Sequence, residues 1–107
     1  MNIEPLKREL EEEIKHRNYD SLVYVLFDES NTTPFAVHFF YKNQLFMVNS
    51  RDDRSYVLGK TFEFTNFIDA KEKFFNILDF IVREGRREVA KRGSYMYSSP
   101  LWDDYKN

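Results

Sequence analysis

At 107 residues the chain is the length of one domain, and its 42% hydrophobic and 18% aromatic content supplies a packed core, which argues against a disordered chain. It has no cysteine, which excludes disulfides and thiolate sites and fits a reducing cytoplasm. A net charge of −2 singles out neither a polyanion binder nor a strongly acidic mimic; no apolar run approaches the ~18 residues of a membrane span, and the acidic amino terminus lacks the apolar region of a signal peptide.

Residues 4–17 read as a helix. Pro5 suits its first turn, and Leu6, Leu10 and Ile14 recur every four residues as one apolar stripe. Asn18 and Asp20 stop it. Leu22 to Phe27 is a continuous apolar run of strand length. After the polar stretch Asp28 to Pro34, the chain alternates from Phe35 to Tyr41, with Phe35, Val37, Phe39 and Tyr41 on one face and Ala36, His38 and Phe40 on the other. Lys42-Asn43 reads as a two-residue hairpin turn, and Leu45 to Val48 pairs back. Arg51 to Arg54 turns again. A fourth strand is expected over Ser55 to Phe64, with Tyr56, Leu58, Phe62 and Phe64 on one face and a bulge at Gly59.

Asn66 and Asp69 form an N-cap with a box-like partner. The helix that follows carries Phe74, Phe75, Leu78, Ile81 and Val82 on its apolar face, runs through Gly85 to about Lys91, and ends at Gly93. The expected fold class is therefore α+β: one domain over residues 1–93, an antiparallel sheet of three to four strands flanked by two helices (α-β-β-β-β-α), followed by an aromatic tail over 94–107.

Site chemistry is sparse. The two histidines, His16 and His38, have no metal-ligand spacing around them and read as solvated or half-buried. There is no nucleophile elbow and no glycine-rich phosphate loop, and the carboxylate pairs Asp28-Glu29, Asp52-Asp53 and Asp103-Asp104 are adjacent side chains of the kind that point apart into solvent. The chain reads as a non-enzymatic protein with no metal and no cofactor. Two surfaces remain. Arg83, Arg86, Arg87, Lys91 and Arg92 cluster on the last helix, and Arg83, Arg87 and Lys91 stack on one side of it. The same cations also complement the helix dipole and pair with Glu84 and Glu88. In the tail, Tyr95, Tyr97, Leu101 and Trp102 either form a recognition arm or, the favoured reading, fold back over the open face of the sheet.

The order of elements is similar to that of double-stranded RNA-binding domains. That family places lysines at the start of its last helix, where this chain has Asn66, Phe67, Ile68, Asp69 and Ala70. A second resemblance lies in the opening: Met1-Asn2-Ile3, Leu6, Arg8-Glu9-Leu10 and Asn18-Tyr19-Asp20 resemble the start of a small phage-encoded anti-CRISPR protein that inhibits a Cas9-type nuclease. The resemblance covers roughly the first 20 residues. It implies a phage or mobile-element protein of the bacterial host cytoplasm that acts by occupying a protein partner, a CRISPR effector nuclease, through the loop acids Asp28, Glu29, Asp52 and Asp53. The alternative is a nucleic-acid-binding accessory module using Arg83, Arg87 and Lys91; a third reading is a homodimer built through the tail or the edge strand Leu22–Phe27.

Overall fold

The computed structural model describes residues 1–106, and side chains as far as Asp103. The tail residues Asp104 and Tyr105 lie outside the described side chains. The elements run α1 (Glu4–His16), β1 (Tyr24–Leu26), β2 (Val37–Lys42), β3 (Leu45–Ser50), β4 (Phe62–Phe64), α2 (Phe67–Arg92) and a closing 3₁₀ helix (Pro100–Lys106). This is the expected α-β-β-β-β-α order, and the sheet order follows the chain, β1-β2-β3-β4.

One pairing departs from expectation. β2 to β4 form an antiparallel meander, but β1 lies parallel to β2, with Val25 opposite His38, so the sheet is mixed. Parallel neighbours begin at the same end, so their connection must travel back along the sheet. Residues 27–36 are long enough to do this, and they bend sharply at both ends, where Phe27 and Phe35 have φ of 52° and 67°. A polar stretch that reads as a simple reversal is in fact a crossover.

Two turns also shift. The β2–β3 hairpin turns on Asn43 and Gln44, both with positive φ, between the paired Lys42 and Leu45; the turn sits one residue later than the sequence suggests. The expected long fourth strand shortens to Phe62–Phe64, with one isolated bridge between Arg51 and Val57. Tyr56 and Leu58 therefore lie in a loop and share no sheet face with Phe62. Gly59, at φ 70°, lies in that loop.

α2 packs on the face built by Val37, Phe39, Phe46 and Val48, all buried in one core with Leu10, Ile14, Phe74 and Leu78. Phe39 organises it: its ring meets Phe74, Phe67 and Phe27 in edge-on contacts with centroids 5.4–5.7 Å apart. α2 starts as the sequence predicts, with Asn66 Oδ1 accepting from the Asp69 N–H at 2.8 Å and Asn66 Nδ2 donating to the Asp69 carboxylate at 2.9 Å. It ends at Gly93, whose φ of 80° and N–H bond to the Val89 carbonyl form a left-handed cap.

α1 is fastened to α2 by a half-buried polar hub. Arg17 pairs with Glu13 at 2.7 Å and with Asp79 at 3.1 Å, and its guanidinium lies over the Phe75 ring. The Tyr19 hydroxyl donates to Asp79 at 2.7 Å, and burial together with that carboxylate pushes the phenol up to about 12.

Candidate functional site

The opposite face of the sheet carries Val25, His38, Phe40, Met47 and Asn49, and all five are buried. His38 is 1% exposed, so the expectation of a solvated or half-buried ring does not hold. Its side chain shares this face with that of Asn49, which sits directly opposite on β3. Burial first, then the Arg51 guanidinium, lowers its pKa to about 4, against a smaller raising effect of Asp28. Asn49 Nδ2 donates to Thr61 Oγ1 at 2.9 Å, while neither His38 ring nitrogen meets a partner among the described residues.

Two long connections border this polar floor, residues 27–36 and 51–61. They bond to each other: Phe35 N–H donates to the Asp52 carbonyl at 3.0 Å and Ser55 Oγ donates to the Thr32 carbonyl. The 51–61 loop is tightly tied. The Asp52 carboxylate accepts the N–H groups of Arg54 at 2.8 Å and Tyr56 at 2.9 Å. The Asp52 N–H donates to the Tyr56 carbonyl, Arg51 Nη1 to the Ser55 carbonyl at 2.6 Å, and the Leu58 N–H to the Ser50 carbonyl at 2.8 Å. Ser55 is held at φ 69°, a conformation that L-residues rarely take.

What this bonding presents is apolar. Tyr56 is 68% exposed, Val57 37% and Leu58 51%. Neighbouring exposed apolar residues on an ordered loop are costly for solubility, which makes this loop a candidate contact surface. Tyrosine in a preorganised loop is also a residue type that dominates binding energies. A reading of Ser55–Phe64 as strand hides this feature, because it assigns Tyr56 and Leu58 to the core.

The four loop acids divide by role. Asp52 is committed to organising the loop. Asp28, Glu29 and Asp53 are exposed, with Glu29 paired to Lys42 at 3.0 Å and Asp28 accepting from Ser30 Oγ at 3.2 Å. The basic cluster of α2 also divides. Arg83, Arg87 and Lys91 lie on the solvent side, but Arg87 pairs with Glu84 and Arg92 with Glu88, both at 3.2 Å. Arg83 lies beside the half-exposed Phe80 ring, 5.9 Å from its centroid. Arg86 turns inward, and its Nε donates to the Leu101 carbonyl at 2.9 Å.

The tail folds back, though not over the sheet face that carries His38 and Asn49, which the sequence leaves for it to cover. It packs on α2 and along residues 21–23. Val23 N–H donates to Tyr97 Oη at 3.2 Å, Ser21 and Ser99 share a hydroxyl bond of 2.7 Å, and Trp102 Nε1 donates to the Tyr97 carbonyl at 2.7 Å. Trp102 is 3% exposed. Its ring fills a notch left by Gly85, where a Cβ would lie 2.3 Å from Trp102 Cε3. The helical glycine is thus explained by the aromatic ring lying across it.

The described residues hold no group of three or more His, Asp or Glu side chains able to bind a metal ion, and no helix among them is long and apolar enough to cross a membrane. The model of one family, Immunity protein 59, matches residues 3–103. The chain belongs to this family. The match spans both helices and the whole sheet, whereas the anti-CRISPR resemblance rests on the opening residues alone and gains no support from it. No curated protein and no solved structure matches the chain.

Proposed function

We propose that this member of the Immunity protein 59 family binds a protein toxin and neutralises it by occupancy, without catalysis and without a cofactor. The observation that carries the reading is the family match over residues 3–103. The geometry supports it: a rigid scaffold holds an ordered loop with Tyr56, Val57 and Leu58 exposed, beside the exposed acids Asp28, Glu29 and Asp53. Such a surface suits a partner with an apolar recess and a polar rim. Inhibition of a CRISPR effector nuclease has no observation in its favour beyond the opening residues, and the paired state of Arg87 and Arg92 weakens the nucleic-acid reading.

The test is co-expression with the protein toxins encoded by genes neighbouring its own, one at a time. Growth rescued by the wild-type chain, together with a one-to-one complex on sedimentation, is the expected result. Failure to rescue from any of them, with no complex formed, would overturn the proposal.

A further inference from the structure

The sheet has two free edges, and they differ. At the β4 edge, Phe62 lies under two lysines, with Lys73 Nζ 4.0 Å and Lys60 Nζ 5.0 Å from its ring centroid. Lysines at an edge discourage further strand pairing. At the β1 edge the arrangement is the reverse. The ladder to β2 uses the Val23 carbonyl and the Phe27 N–H, so residues 23, 25 and 27 face inward and the N–H and C=O groups of Tyr24 and Leu26 point out of the sheet.

A groove of about 460 Å³ runs along this edge between β1 and α1. Its walls include the Tyr24–Phe27 segment, Lys7, Glu11, Asp28 and Asn31. Burial first, then the Asp20 and Glu11 carboxylates, raises the pKa of the Tyr24 phenol. Glu11 and Asp28 thus line the groove beside the outward backbone groups, with Lys7 the cation in the wall. Asp28 and Asn31 belong to the 27–36 connection, whose Thr32 carbonyl accepts from Ser55 of the apolar loop.

We propose that the β1 edge takes an extended, cationic segment of the toxin as an added fifth strand. This rests on the toxin-binding reading above. An added strand of about three to five residues, at ~3.3 Å per residue, matches the length of β1. Its main chain would bond to Tyr24 and Leu26, and a Lys or Arg side chain would meet Glu11 and Asp28. Backbone pairing then supplies affinity and the carboxylates supply preference.

The experiment uses the full chain and the toxin that it neutralises. Amide exchange is followed at Tyr24 and Leu26, free and in the complex, and protection at both is expected to rise about tenfold or more. Tyr24→Pro removes one outward N–H without touching the β1–β2 ladder. It is expected to weaken binding about tenfold, read well below a melting temperature that loss of the core-packed Tyr24 ring lowers. Should the proline disturb folding, the exposed pair Glu11→Lys with Asp28→Lys gives the same reading, a similar loss in a folded protein. A complex that forms with unchanged exchange at Tyr24 and Leu26 overturns the edge proposal and leaves toxin binding intact. A homodimer already protecting these amides overturns it in favour of a second copy. If the wild type forms no complex, the toxin reading falls and takes this inference with it.

Discussion

Two segments of this protein are short, lie outside the sheet and carry aromatic residues: the tail from Tyr95 to Trp102 and the loop from Tyr56 to Leu58. The tail is folded into the core, with Trp102 across Gly85, while the loop stands in solvent. Composition does not separate them, because each has the residues of a core and each has the residues of an interface. What separates them is the surface opposite. The tail meets a helix with a notch cut to the depth of a ring. The loop is bonded through its own backbone and through Asp52, so its side chains are left with nothing to cover.

The largest effect should come from breaking the tail. Trp102→Ala removes a buried indole and its hydrogen bond to Tyr97, and should cost about 3–5 kcal/mol, read as a shift in the denaturant midpoint. Gly85→Ala approaches the same end from the helix. In an exposed helix interior this change stabilises by about 1 kcal/mol. Here the new methyl collides with the Trp102 ring, so overpacking should reverse the sign and destabilise by roughly 1–3 kcal/mol. A stabilised Gly85→Ala protein would show that the tail does not rest on α2.

Much of this architecture is legible in the residues. Leu6, Leu10 and Ile14 mark α1, and Asn66 with Asp69 marks the start of α2. The spacing of Leu78, Val82, Gly85 and Val89 carries that helix through its glycine to Gly93. These signals are local, since capping and periodicity are decided within a few turns. What is not legible is what depends on distant partners. The direction of β1 is set by the route of residues 27–36, and a polar linker of that length serves a reversal and a crossover equally well. The alternation from Tyr56 to Leu58 looks like strand because period two is all the sequence shows. The ladder is instead broken by the bonds that Asp52 and Arg51 make to the loop backbone. Of the residues with candidate binding roles, Asp28, Glu29, Asp53, Arg83, Arg87 and Lys91 are on the surface, whereas Arg86 and Trp102 are engaged with each other's segments.

The loop and the tail also rest on different floors, and pH should distinguish them. The tail sits on apolar side chains of α2; the loop borders the sheet face that holds His38, Asn49 and Arg51. The ring of His38 binds a proton less readily in the folded protein, at about 4, than its ordinary value of 6.5. Between these values the unfolded chain binds more protons, so stability falls as the pH drops from about 6.5 to about 4 and is fully present above that window. The contribution is about 3 kcal/mol. Denaturant unfolding of the wild type and His38→Phe at pH 7 and pH 4 isolates it, because the other titrating groups are common to both. The variant should lose less stability on acidification by roughly that amount. Equal losses would place the His38 charge in contact with water.

The smallest stability effect should come from the loop itself. Tyr56→Ser with Leu58→Ser alters side chains that lie largely in solvent and leaves every backbone bond of the loop in place, so the midpoint should move by no more than about 0.5 kcal/mol. The same pair should weaken toxin binding by about thirtyfold or more, since truncating an aromatic anchor at an interface costs about 2 kcal/mol. Arg83→Glu with Arg87→Glu and Lys91→Glu, on the far helix, serves as the counterpart and should leave binding near the wild-type value. If the helix variant loses binding and the loop variant does not, the partner sits on α2, and the exposure of Tyr56 has another cause. If the loop variant loses both binding and stability, the loop belongs with the tail as part of the core. Loss of binding alone is the result that keeps the two aromatic segments apart, one holding the fold together and the other serving a partner.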